Sequence, residues 1–470
     1  MSKWAHIACA VAALVVAAVT LHTFGVAQGC TIVAALAVAF ALPYAVARRC
    51  SWWSPAASVA LCVASLIIAA SAVYYMWHYT LACGGTLEMP LLKSDSSGYY
   101  RWALHHYDGR CPEPLTTFFG FPLAMLALWK VLGVSIVWPV AMNMSLTIAS
   151  IAMGAGLAAS FVRGRDLIKP STAATLTIAL LSLHGYFISQ GYVIQKEALV
   201  YISMTMVAMG LFRLSNPGGT RRDTITGIAL YALACVILAL VRAKYINFAA
   251  FGVVLLAVSR WRTSWRSIAT LVAVTFATWL MGMYCSTTYS VAQQVGNVVG
   301  GEYITQAFKP GINEQKFYID LMDGYFCLPA WKKVLLLPFT CGTQFVIPFP
   351  WQNYSNEWTS IIPRIRLGWY LCGGLALCYY AVLSWRKDAT LGLVAWWPVV
   401  CAMGIAYISA GTVSRYILPF QPMFAAIAVY VVAHLWCNRH RRPITIAAAA
   451  YAAILITALI TALILTQTIN

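Results

Sequence analysis

Apolar residues run along this chain in long unbroken stretches, not at the intervals of an amphipathic helix or strand. The runs 55 to 79, 134 to 162, 267 to 284 and 444 to 466 carry almost no charge. They approach or exceed the ~20 residues a helix needs to cross ~30 Å of hydrocarbon. A closed barrel also satisfies backbone polar groups in lipid, but it needs short strands of alternating polarity, which these runs are not. The pattern predicts an all-α, polytopic integral membrane protein. Met1 to Ala27 has the basic start and apolar centre of a signal peptide. Apolarity resumes at once over Thr31 to Ala47 and stops at Arg48-Arg49, however, so an uncleaved helical hairpin is expected.

Composition sharpens this class. Hydrophobic residues make up 61% of the 470 and charged residues only 9%, far from the balance of a water-soluble chain. A net charge of +18 would suit nucleic acid if the basic residues formed a patch. Instead they stand scattered between apolar runs, so no nucleic-acid partner is expected.

The basic residues recur in short loops at Arg48-Arg49, Arg163 to Lys169, Arg213 to Arg222, Arg260 to Arg266, Arg386-Lys387 and Arg439 to Arg442. The positive-inside rule makes these loops cytoplasmic and, with Lys3, the N-terminus too; the expected topology is about 13 spans in one multi-pass domain, 1 to 470, of a cytoplasmic (inner) membrane. Acidic residues test this scheme independently. Of the 13, only Asp166, Asp223 and Asp388 fall in the basic loops. The others gather in or beside the outward segments 80 to 117, 191 to 198 and 286 to 366, while 242 to 247 and 410 to 416 bring basic and polar groups to the same face. Two larger extracytoplasmic loops result, 80 to 133 and 286 to 366. Making Thr116 to Gly133 a span would invert every later loop, so it is read as an interfacial or re-entrant helix with Trp129 and Lys130 at headgroup level.

The first outward loop reads Lys93-Ser94-Asp95-Ser96-Ser97-Gly98-Tyr99-Tyr100-Arg101-Trp102-Ala103, followed by Phe121-Pro122-Leu123 and a helix ending at Gly133. Near the other end, Arg415-Tyr416-Ile417-Leu418-Pro419 follows an outward turn. These segments resemble the GT-C superfamily of membrane glycosyltransferases, which use polyprenyl-linked sugars. Many members carry Asp-Glu-x-x-Tyr-x-x-x-Ala early in the first outward loop, a Pro-Leu helix closing on Gly, and a later Arg-Tyr-x-x-Pro element. The resemblance implies a polyprenyl-phosphate-linked sugar donor, a glycan or lipid-linked acceptor, and a site built on Asp95, Tyr99, Arg415 and Tyr416. Ser96 stands where many relatives have Glu, which puts a two-carboxylate or metal site in that dipeptide in doubt; Asp108 and Glu113 are the other carboxylates of the loop.

The chemistry of such a transfer assigns roles on its own terms. A base must take the proton of the acceptor hydroxyl, whereas a phosphate leaves as an anion without a strong acid. Asp95 is the candidate base, with an N-cap of the helix-like stretch behind it as the alternative. The leaving phosphate needs cations, and Lys196, Arg242, Lys244 and Arg415 lie on the outward side close to spans. Arg grips phosphate through two parallel hydrogen bonds, while Lys acts as a point charge. Against this, Arg242 and Lys244 could snorkel at a helix end, and Lys196 could pair locally with Glu197.

The second large loop carries Glu302, Glu314 and Trp351 among many aromatics. Aromatic rings stack on sugar faces, so these three are candidate acceptor contacts; an apolar flap over Val334 to Trp351, lying on membrane lipids, is the competing reading. Cys83 and Cys111 flank the first loop and Cys327 and Cys341 share the second, pairs that an oxidising compartment would allow to close. Neither His105-His106 nor His184 makes a metal-ligand spacing, and no divalent metal or other cofactor is indicated. The short cytoplasmic loops hold no nucleotide fingerprint, which favours a lipid-linked donor. An O-antigen-type polymerase shares all these features. A transporter would predict internal repeats and broken mid-membrane segments, and no repeat is found.

Overall fold

The computed structural model describes residues 2–110, 120–165, 167–216, 219–258, 264–284, 325, 327–346, 389–409 and 414–437. Every regular element among them is helical. In chain order these are α1 (Ser2–Phe24), α2 (Val26–Ala47), α3 (Pro55–Tyr79), α4 (Ser94–Tyr107), α5 (Gly120–Leu132), α6 (Val137–Val162), α7 (Pro170–Ser182), α8 (Gly185–Tyr192), α9 (Glu197–Ser215) and α10 (Arg221–Arg242). They are followed by α11 (Lys244–Val258), α12 (Trp265–Tyr284), α13 (Ala330–Val346), α14 (Ala389–Ser409) and α15 (Gln421–Cys437).

Six of them, α1, α2, α3, α6, α9 and α10, are long and apolar enough to cross a bilayer, and the α7–α8 pair, bent by 75°, makes a seventh if it is one span. The membrane class is thus carried by the described residues, while the expected count of about 13 is not reached among them. Length is the reason in part. With 15 residues, α11 extends only about 22 Å, short of the ~30 Å hydrocarbon core. The 444 to 466 run and the stretch from 366 to Arg386 lie outside the described residues.

The helices are layered by burial. Most of α6 and α9 is enclosed, whereas α1 is exposed over almost its whole length and turns Trp4, Leu14 and Val15 outward. Lipid, not water, suits such a face. At the centre, small residues let backbones approach, as membrane helix pairs require. A Cβ on Gly154 of α6 would lie 2.9 Å from Pro422 of α15, and one on Gly156 would lie 3.1 Å from the Trp52 indole.

Two ends of the bundle can be told apart. At one, Arg163 donates to Ser51 Oγ at 2.6 Å and the Cys437 thiol lies 3.3 Å from the Leu167 carbonyl, so the basic loop after α2, the basic loop after α6 and the end of α15 meet. Arg213 and Asp223 close the turn between α9 and α10 at 2.7 Å, and Thr220 and Asp223 cap α10 reciprocally, a capping box. The opposite end carries α4, α5 and the start of α9.

α5 turns one face to the interior. Its Phe121, Met125 and Trp129, four residues apart, are fully buried, and Trp129 packs edge-on against Tyr100 at 4.7 Å while donating to the Ser135 carbonyl. Trp129 is thus enclosed by protein while Lys130 is exposed; Leu123, Val131 and Leu132 are exposed as well. The helix ends on Gly133 at φ 82°, a left-handed stop that glycine adopts without strain. Cys83 and Cys327 are exposed free thiols.

Candidate functional site

The site begins with an irregular stretch of backbone. Between α8 and α9 the chain unwinds over 193–196, inside the bundle, where each unpaired peptide group is costly. Side chains of α6 and α3 satisfy it. Asn143 donates to the carbonyls of Val193 at 2.6 Å and Gln195 at 2.9 Å, Thr147 donates to the Gly191 carbonyl at 2.7 Å, and the Ile194 amide donates to the Tyr75 hydroxyl at 3.4 Å. Lys196, the next residue, is held in consequence. It is buried beneath α4, its ammonium 5.7 Å from the centre of the Tyr99 ring.

α4 supplies the lid of this arrangement. Asp95, Tyr99 and Ala103 recur at i, i+4 and i+8 and so share one side of the helix. Tyr99 and Ala103 are buried, Tyr99 edge-on to Phe121 of α5 at 5.6 Å, and Asp95 is exposed one turn earlier. The N-cap position belongs to Lys93, with no side-chain cap. Asp95 is instead in the first turn, where the helix dipole favours a negative charge. The N-cap alternative is therefore not met. Asp108 stands at the far end of α4, about 20 Å along the axis, and pairs with Arg110 at 3.1 Å. It is too distant to act as a second carboxylate beside Asp95. Glu113 lies outside the described residues.

From the other side come the starts of α9 and α11, the end of α10 and the turn at Ser414–Tyr416. Glu197, the first residue of α9, pairs with Arg242, the last of α10, at 3.4 Å. Its sequence neighbour Lys196 is not its partner, which corrects the local-pair reading. The Arg242 guanidinium also lies 4.7 Å from the Tyr416 ring centre and 5.1 Å from that of Tyr245, distances at which a cation is attracted to the ring face. Arg242 is thus engaged within the protein and does not snorkel. Arg415, in the same turn as Tyr416, lies 5.6 Å from the Tyr416 ring.

Electrostatics tie the groups together. Burial, reinforced by the Arg242 charge, pushes the Lys196 pKa down to about 8, and Glu197 and Asp95 offset only part of this. Burial also works against the Arg415 charge, but Tyr416, Glu197, Tyr186 and Asp95 outweigh it and hold its pKa above the ordinary value. Asp95 therefore stands within electrostatic reach of both cations. Lys244, at the start of α11, has its pKa pushed down to about 7 by burial and then by the Arg242 and Lys196 charges, so near neutral pH it carries only part of a positive charge.

Sequence reasoning thus selects Asp95, Tyr99, Lys196, Arg242, Lys244, Arg415 and Tyr416, and the fold brings all seven to one end of the bundle. Glu302, Glu314 and Trp351 lie outside the described residues. Glu197 and Tyr245 were missed as members of the cluster. A carboxylate at the start of an apolar span is the signal that could have found Glu197.

No protein-family model matches the chain, and no curated protein does. Among solved structures it is similar to the archaeal oligosaccharyltransferase AglB from Archaeoglobus fulgidus, in complex with an inhibitory peptide and a dolichol-phosphate. The identity is 12% and the TM-score 0.44, over 86% of this chain and 54% of that one. The chain spans about half the length of the protein it matches.

Proposed function

We propose that this protein is a membrane glycosyltransferase that moves a sugar from a polyprenyl-phosphate-linked donor to a glycan or lipid-linked acceptor at the extracytoplasmic face. The observation that carries this reading is the convergence of an exposed carboxylate, Asp95, with the cations Lys196 and Arg415 at one end of a bundle of apolar helices. Asp95 takes the proton of the acceptor hydroxyl. The acceptor oxygen then bonds to the anomeric carbon while the carbon–oxygen bond to the phosphate breaks, its electron pair leaving with the phosphate. Lys196 and Arg415 hold that phosphate as its charge grows, and the lipid tail stays among the helices. Preorganised cations aimed at developing charge are a large source of rate.

A transport reading would draw on the α7–α8 bend and the unwound stretch after it. That stretch spends its carbonyls on Asn143 and Thr147, and α7–α8 is the single bent pair among the described residues.

The test is transfer by the purified protein in liposomes, with a polyprenyl-phosphate sugar as donor. Asp95→Asn should lower kcat by about 10²- to 10⁴-fold and leave the donor KM nearly unchanged. A well-folded Asn variant with normal turnover would remove Asp95 as base.

A further inference from the structure

Among the cations of the cluster, Arg242 differs from Lys196 and Arg415 in what surrounds it. We infer that Glu197 and Arg242 form a strut that positions Arg415 and do not themselves bind ligand; this rests on the reading of Arg415 as a phosphate ligand.

Glu197 is almost fully enclosed, with its side chain 4% exposed, and Arg242 is 11% exposed. A buried carboxylate is costly unless paired. If an incoming anion drew Arg242 away, it would strand Glu197 in the interior, whereas engaging Lys196 or Arg415 breaks no ion pair among those described. The pair therefore stays closed when ligand arrives.

The closed pair also holds the turn that carries Arg415. The Arg242 guanidinium contacts both the Tyr416 ring, next in sequence to Arg415, and the Tyr245 ring. The Tyr245 hydroxyl donates to the Tyr416 carbonyl at 2.9 Å. Tyr245 in turn stacks near Phe420, which is wedged against Phe248 and Trp397. The turn bearing Arg415 is thus gripped from one side by the Arg242 cation and from the other by a hydroxyl, and Glu197 fixes the cation. Glu197 also begins α9, where the helix dipole favours its negative charge. The strut spans α9, α10, α11 and the 414–420 segment, four pieces of chain that must agree before Arg415 points into the site.

Two measurements on the full-length protein in lipid nanodiscs test this. The first is amide hydrogen exchange over residues 414 to 420, which needs no ligand. Glu197→Gln keeps the size of the side chain but loses the charge, and it should speed exchange there on the order of tenfold, as losing one strong hydrogen-bonded contact does. Exchange in the middle of α6 should be unchanged. Glu197→Asp should restore part of the protection, and Tyr245→Phe should reproduce the loss. Should Glu197→Gln fail to fold, Tyr245→Phe and Glu197→Asp carry the same comparison.

The second is affinity for a polyprenyl phosphate. Glu197→Gln should weaken it about tenfold, and in an Arg415→Gln background it should weaken it no further, because the strut acts through Arg415. Additive losses with unaltered exchange would overturn the strut, as would tighter binding by Glu197→Gln, which would show Arg242 released to grip the ligand. If the wild-type protein does not bind the probe at all, the transferase reading fails, and the exchange measurement still decides the strut.

Discussion

At the scale of single residues, Lys196 makes the site responsive to alkali. Its pKa of about 8 belongs to the ligand-free protein and is set by burial, then by Arg242 against Glu197 and Asp95, with Arg415 nearby. Below that value the lysine is charged and attracts phosphate. As pH rises through 8 the charge is lost, so affinity for a lipid phosphate should fall about tenfold in all between pH 7 and pH 9, as follows when one protonated group of pKa about 8 is required. Lys196→Arg, charged throughout this range, should remove the step near pH 8, and Lys196→Met should give weak binding without that step, leaving Lys244, lowered to about 7 by burial, as the titrating cation. Equilibrium binding of a polyprenyl phosphate across that range reads all three. An unchanged profile in Lys196→Met would place the titrating group elsewhere. The prominence of such residues is also why they were legible: a charge beside an apolar span stands out against its background. Glu197 escaped notice because its neighbour in sequence is a lysine that could have neutralised it. The partner it takes is Arg242, 45 positions away.

At the scale of elements, the arrangement depends on the peg that α6 drives into the unwound backbone before α9. Asn143→Leu would leave the half-buried Gln195 carbonyl without that donor, at about 1–3 kcal/mol, while the Val193 carbonyl would keep only the Gln195 amide, 2.7 Å away. Thr147→Val removes one hydroxyl donor at nearly constant shape and should cost about 1–2 kcal/mol. Thermal unfolding in detergent should rank Asn143→Leu below Thr147→Val and both below the wild type; equal melting of all three would mean the carbonyls find other partners. Gly120 offers a second check. A Cβ there would lie 2.5 Å from the Leu240 carbonyl oxygen, so Gly120→Ala should force α5 from α10 and lower activity more than Gly98→Ala, where space is open. Helix identity was readable from apolar runs. Helix facing was not: nothing in the run around Trp129 says which side is enclosed, and only packing against Tyr100 shows the indole turned inward.

At the scale of the whole molecule, charge alternation along the sequence anticipated which loops would meet. The loops around Arg49 and Arg163 and the end of α15 do assemble at one end, and the predicted site residues at the other. The number of crossings was less legible, because basic loops mark where the chain turns and say nothing of how long the helix between them is. We expect single cysteines introduced near Arg221 to be shielded from impermeant reagents in intact cells, and those near Asp95 to react. The opposite pattern would place the site on the cytoplasmic side and exclude an extracytoplasmic transfer reaction.

The unwound backbone between α8 and α9 also bears on how the chain is made. Synthesis proceeds from the N-terminus, so α3 and α6 leave the ribosome before residues 191–196 do. The hydroxyl of Tyr75 and the side chains of Asn143 and Thr147 are therefore already available when those peptide groups must leave water. A circular permutant beginning at α7 would reverse that order, offering the bare carbonyls to the bilayer before their donors exist, and should be retained poorly by the insertion machinery even though the finished protein would contain every contact of the native one.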